Sequence, residues 1–276
     1  MRERSVSTRG DQRIVVEPVP RAAVLAPWWN CWVIGACSAD DLIDAMAGFG
    51  RHHVVDVRAR TEPLIVGLAQ LRAAGRAPMA GETIGRPALA RVVLPVPGDP
   101  LGLPGPTTFN QLAVQAGQSV VLESTATALI PNTAAGSTLW TTHAVDPDRH
   151  TAAAVDPSEA SRAIAQAMLQ ATQTLGALGP LDSRDEVGRS LHDLDRALEL
   201  LRLPPSLPPG QARTATTAAR VLGIVSIAAA SQRSATTGFG QDQVTDSLLS
   251  LARTARHTLA AACNAPQTLA SPRSPT

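Results

Sequence analysis

A chain of 276 residues with a formal charge of +1 has no field to gather nucleic acid or an anionic membrane, and 44% hydrophobic residues can build a core without disulfides. It contains no lysine and no tyrosine, so all 24 basic residues are arginines; this excludes Schiff-base chemistry, a P-loop lysine and any phenol acting as acid or nucleophile. Cys31, Cys37 and Cys263 are an odd number at no metal-like spacing, which argues for a reducing cytoplasm rather than a secreted disulfide framework.

Only 3% of residues are aromatic, so the core must come from Ala, Leu and Val. Small side chains let helices approach closely but each buries little area. The arginine-only, alanine-rich usage is that of a GC-rich bacterial genome. Residues 1–12 and 264–276 carry no periodicity and read as disordered tails. Between them the texture changes near residue 150, giving an α/β domain over 13–150 and a helical bundle over 151–263. The expected class is α+β, a small α/β layer followed by an antiparallel four-helix bundle.

In chain order, Arg13 to Val19 reads as a strand and Asn30 to Ile34 as another. The uncharged run from Ala22 to Ala39 ends Ile34-Gly35-Ala36-Cys37, like a lipoprotein cleavage box; Glu17, Pro27 and Asn30 oppose that reading. No segment reaches the roughly 20 apolar residues needed to span a bilayer. Ser38, with Asp40 and Asp41 behind it, starts a helix through Ala47. His53 to Arg58 is a strand; Thr61 then caps a helix with Pro63 in its first turn. Ala90 to Val96 is a strand, Thr108 and Gln111 form a capping box for a helix to Ala116, and Gln118 to Glu123 and Thr138 to Val145 close the layer as strands. Alternating strands and helices predict right-handed crossovers.

The second half reads as helix throughout. Asp156 caps a helix with Pro157 at its first position and the stripe Ile164, Met168, Ala171, Leu175, Leu178. A second runs from Ser183 to Leu203 with Val187, Leu191, Leu194, Leu198 and Leu201, a third from Gln211 to Gln232, and a fourth from Gln241 to Cys263. Near-heptad stripes with short connections predict crossing angles of about 20°.

Four places could carry chemistry. The Pro/Gly-rich stretch Leu94 to Pro106 lies between a strand and a helix, where α/β sheets place ligands. Its prolines donate no N–H, so a stiff packing loop fits better than a phosphate cradle. If a ligand site exists at the strand ends, Arg58, Arg60, Asp99 and Glu123 are the groups to converge there, the carboxylates as base and the arginines as anion clamp. His143, Asp146, Asp148 and His150 match no closed metal site, and no metal or cofactor is expected. His52 and Asp56 share one face of an alternating strand, which an exposed sheet edge also explains. Trp28, Trp29 and Trp32 crowd into five residues and are the candidate interaction surface, with core packing the stronger alternative.

No residue pattern names a reaction. The sequence points to a non-catalytic cytoplasmic module that binds another protein or itself, with no nucleic-acid and no membrane partner. The alternative is an enzyme or small-ligand protein with an anion-recognising site at the strand ends.

Overall fold

The computed structural model describes residues 19–267 apart from 57, 76–88, 101, 105–107, 124, 135, 147–154, 177–183 and 235–240. The chain is mixed α+β. Helices α1 (Arg21–Val33) and α2 (Ala39–Ala47) precede strands β1 (Arg51–Val55) and β2 (Thr61–Pro63), helix α3 (Leu64–Gly75) and strand β3 (Ala90–Val93). Helix α4 (Thr108–Ala116) leads to β4 (Ser119–Leu122), β5 (Thr127–Ala134) and β6 (Ser137–Ala144). Helices α5 (Pro157–Gly176), α6 (Arg184–Leu198), α7 (Pro209–Ser234) and α8 (Gln241–Cys263) follow.

The six strands are ordered β2-β1-β6-β5-β4-β3. Only β1 and β6 pair in parallel; the other neighbours are antiparallel. The sheet is therefore a β3–β4–β5–β6 meander closed against a β1–β2 hairpin, not the series of parallel crossovers that the alternation suggested. β1 is an inner strand, which corrects the exposed-edge reading of His52 and Asp56. The edge is β2, short and ending in Pro63, a form that discourages pairing with another chain. Thr61 to Pro63 thus belong to that strand, and α3 begins two residues later than a Thr61 cap would start it.

One sheet face carries Val54, Trp140, Leu129, Val120, Leu122, Ala90 and Val92 into the main core. The other presents Val93, Val121, Ala128 and Ile130 to Phe109 and Ala113 of α4 and to Leu103, forming a second, smaller core. The main core is continuous through α1 and α2 into α5–α8: Ile164, Leu194, Leu222 and Leu259 belong to the same cluster as Val54 and Trp140. The two halves share one interior.

Asn30 to Val33 do not form a strand; they are the last turn of α1, in which ten of 13 residues are buried. A helix buried on every side has no polar face, and its periodicity vanishes from the sequence. Ala22, Ala23 and Ala26 allow this close enclosure. Ile34-Gly35-Ala36 is its stop: Ala36 N donates to Cys31 O at 2.8 Å, Gly35 N donates to Trp32 O at 3.1 Å, and Gly35 takes φ +79°. This is a Schellman ending, which accounts for the small residues of the lipoprotein-like box.

Enclosure leaves polar backbone to satisfy. Pro27 has no N–H, so Ala23 O loses its helical partner, and the Cys263 thiol donates to it at 3.5 Å. The first-turn N–H of Ala22 donates to Gln118 Oε1 at 3.0 Å, and Gln267 Nε2 donates to Pro27 O at 2.9 Å. Two asparagines close the β3 edge. Asn30 accepts from Ala90 N at 2.6 Å and donates to Ala90 O at 2.9 Å; Asn264 does the same to Val92, at 2.7 Å and 3.0 Å. Each carboxamide acts as one peptide unit of a missing strand. Asn264 to Gln267, which composition assigns to a tail, are thus built into the fold.

In the second half, Asp156 Oδ1 accepts from Ser158 N and Glu159 N, capping α5 as its sequence indicates. α7 packs along α8, α8 along α5, and α6 along α7, while α5 and α6 make no comparable contact among the described residues. Arg13 to Pro18, from the first expected strand, lie outside the described residues.

Candidate functional site

The strand-end groups are separated by the sheet. Asp56, at the end of β1, accepts from Arg58 N at 2.8 Å, Arg60 N at 2.9 Å and Arg60 Nε at 2.9 Å. The backbone donor of Arg60 is the main reason its carboxyl lies below the usual range. Asp99 and Glu123 belong to the β3–β4 side. β1 and β3 stand four strand spacings apart, about 19 Å. Arg58 and Arg60 are therefore not brought to Asp99 or Glu123.

The Pro/Gly stretch packs against the helical half. Pro97 and Gly98, the latter at φ +80°, turn the chain so that Asp99 N donates to Val96 O at 2.9 Å. Asp99 is thereby delivered to α8, where His257 Nε2 lies 2.7 Å and Arg253 Nε 3.6 Å from its Oδ2. Arg91 holds the same stretch from the sheet, donating to Gly102 O at 2.8 Å while facing Glu123 at 3.6 Å. Nothing in sequence announced His257 as the partner of Asp99, 158 positions away.

The tryptophans serve packing. Trp29 is in the core, with Trp32 edge-on at 5.8 Å; Arg72 stacks over Trp32 at 4.3 Å. Trp28 Nε1 donates to Arg202 O at 2.7 Å, and Arg202 donates to Asp44 O at 3.0 Å. The cluster thus ties α1 to the α6–α7 connection. Burial pushes the Cys263 thiol up to about 12 and is the first cause raising Cys37, so neither is a poised thiolate. His143 meets Thr141 Oγ1 at 3.0 Å and Phe109, and no group of three metal-capable side chains occurs among the described residues. Asp148 and His150 lie outside them.

His52 has both ring nitrogens engaged: Nε2 is 3.1 Å from Met46 O, and Nδ1 accepts from Trp140 Nε1 at 3.2 Å. This fixes the neutral tautomer with the proton on Nε2. Burial, against the opposing effect of the Met46 carbonyl and with help from Arg21 and His53, lowers its pKa from 6.5 to about 4. Between those values the unfolded chain binds the proton and the folded one does not. Stability is therefore full above pH 6.5 and falls as the pH drops toward 4. The whole shift would correspond to about 3 kcal/mol, which screening at this partly exposed ring reduces to about 1–2 kcal/mol. Urea midpoints from pH 7.5 to 4 should fall more steeply for the wild type than for His52→Gln; parallel curves would remove this role.

The helical half leaves apolar side chains in water. Ile164 and Leu194 are buried, but Met168 and Leu191, one turn along the same stripes, are exposed. Thr258 Oγ1 of α8 donates to Ala160 O of α5, and these packed helices also carry Leu169 and Leu249. These are 60% and 54% exposed. Gly223 of α7 meets Leu194 of α6, and Leu191 and Ile224 of the same two helices are exposed as well. No helix among the described residues is long and apolar enough to cross a membrane.

Residues 22–156 match the model of the Rv1486c-like protein, N-terminal domain, and residues 158–260 that of the Rv1486c-like protein, C-terminal domain. No curated protein and no solved structure matches the chain. With the two domains in this order over most of its length, the chain belongs to the Rv1486c-like proteins.

Proposed function

We propose that this protein is a non-catalytic interaction module that uses the outer face of α5–α8 to bind another protein or a second copy of itself. The observation that carries the reading is that Leu169 of α5 and Leu249 of α8, on helices that pack together, are each more than half exposed. Several large apolar side chains exposed on neighbouring helices suit an interface, whereas a single scattered one needs no explanation. The polar groups support a structural use: Asp99, Asp56 and His52 are each engaged by internal partners. Under this reading α5–α8 are a four-helix bundle, and the partner covers the exposed Leu169, Leu191 and Leu249. The setting is the cytoplasm, which three free thiols support.

Sedimentation velocity over a hundredfold range of concentration tests this. The wild type should shift to a larger species, and Leu169→Asp with Leu249→Asp should raise the dissociation constant at least about a hundredfold, each buried leucine contributing roughly 1.5–3 kcal/mol. A wild type that remains monomeric throughout, and whose pull-downs match those of the double variant, would overturn the reading.

A further inference from the structure

The turn that ends α1 folds the chain back on itself and sets two thiols side by side. The bond from Ala36 N to Cys31 O, at 2.8 Å, closes the Schellman ending, with Gly35 as its left-handed residue. Cys37 comes next in the chain and is thereby returned along the last turn of α1. Its Sγ donates to Trp28 O at 3.9 Å, and the Cys31 thiol is its hydrogen-bond neighbour. Ser38 then caps α2 in a reciprocal box with Asp41, so the connection is fixed on both sides of Cys37.

The two sulfurs differ in access. Cys31 is buried, whereas Cys37 is partly exposed, and both are free thiols. An oxidant small enough to reach Cys37 meets one sulfur with the second directly behind it. Cys263, the third thiol, is bonded elsewhere, to Ala23 O. Burial first, and the Cys31 thiol second, hold the Cys37 thiol above its ordinary range; Asp41 adds to this and Arg72 opposes it. A thiol that keeps its proton reacts slowly. The pair therefore stays reduced toward weak oxidants, and what suits it to close is the adjacency of the two sulfurs rather than their acidity.

Independently of the α5–α8 surface, we propose that Cys31 and Cys37 are a modification site, a dithiol that hydrogen peroxide closes to an intramolecular disulfide. Cys37, having lost its proton, attacks one oxygen of the peroxide; the O–O bond breaks, the other oxygen leaves as hydroxide and takes up that proton, and Cys37 becomes a sulfenic acid. Cys31 then gives up its proton and attacks the sulfenic sulfur, and the S–O bond breaks to release a second water. Two thiols are oxidised and one peroxide is reduced. Trypsin releases residues 22–51, which hold Cys31 and Cys37, and residues 257–273, which hold Cys263. The reduced full chain is exposed to hydrogen peroxide, unfolded in N-ethylmaleimide and digested. The 22–51 peptide should be two hydrogens lighter and carry no maleimide, while the 257–273 peptide carries one; dithiothreitol before labelling should restore both sites of the first. The oxidised chain should melt roughly 5 °C higher, because the cross-link constrains the unfolded chain and the folded turn already accepts it. In Cys31→Ser, Cys37 should be recovered as the dimedone adduct of its sulfenic acid, which the wild type should not accumulate. Labelled cysteines in the oxidised 22–51 peptide, a cross-link to 257–273 or between two chains, or a lowered melting temperature would each overturn the assignment.

Discussion

Asn30→Ala is expected to lower the unfolding free energy by about 4 kcal/mol and the melting temperature by roughly 10 °C. Asn30 is buried in the last turn of α1 and gives its whole carboxamide to the outer edge of β3, where it holds both the N–H and the C=O of Ala90. Truncation leaves those two groups in a site closed to water, each costing about 1–3 kcal/mol, and adds the cavity left by the side chain. Asn264→Ala removes the equivalent pair at Val92 from a partly buried position and should cost about half as much. Opening the edge also exposes a template for strand addition. Urea unfolding followed by circular dichroism gives the stability loss, and light scattering at increasing concentration detects edge pairing. A loss below about 1 kcal/mol for Asn30→Ala would show that water or a local shift satisfies Ala90, and that the carboxamide is not what closes the sheet.

This pair of asparagines also shows why some of the fold was legible in the sequence and some was not. Elements defined by local chemistry were readable: Ser38 caps α2 and exchanges bonds with Asp41, Asp156 and Pro157 open α5, and α8 runs from Gln241 to Cys263 as its stripe indicates. α1 was not, because the signal of a helix is the contrast between two faces and this one has no exposed face of any extent. β5 was hidden by Pro131 and Asn132, residues that argue against a strand; β4 stops pairing at Leu129, so Pro131 stands where β5 has a single neighbour and the missing N–H is tolerated. The parallel pairing of Arg51 with Ser137 joins segments more than eighty residues apart, beyond the reach of any local pattern. The Arg58, Arg60, Asp99 and Glu123 group failed to converge for the same reason in reverse. All four follow strands or lie in strand-end loops, but the strand order that separates them is a long-range property. The leucine stripes did predict the helices of the second half, yet not which turns of each stripe would find a neighbour.

Gly67→Val should cost about 3 kcal/mol, near the top of the usual range for overpacking. Gly67 lies in α3 where that helix crosses β1, and a Cβ there would collide with Val54 Cβ and stand 2.7 Å from Val54 Cγ2. Relief by rotation is unavailable, since Val54 is branched at the very atom in contact and is enclosed by the core. Retreat of the strand is equally blocked, because β1 is bonded to β2 on one side and β6 on the other. The helix must therefore move. Gly67→Ala should cost less, about 1–2 kcal/mol, as the gain in helix propensity offsets part of the collision. Gly210→Ala is the matched control: a Cβ there meets nothing within 4 Å, and the substitution should be neutral or stabilise by up to about 1 kcal/mol. Urea unfolding of the three variants separates these cases, and a Gly67→Val protein as stable as Gly210→Ala would show that α3 is not seated on Val54.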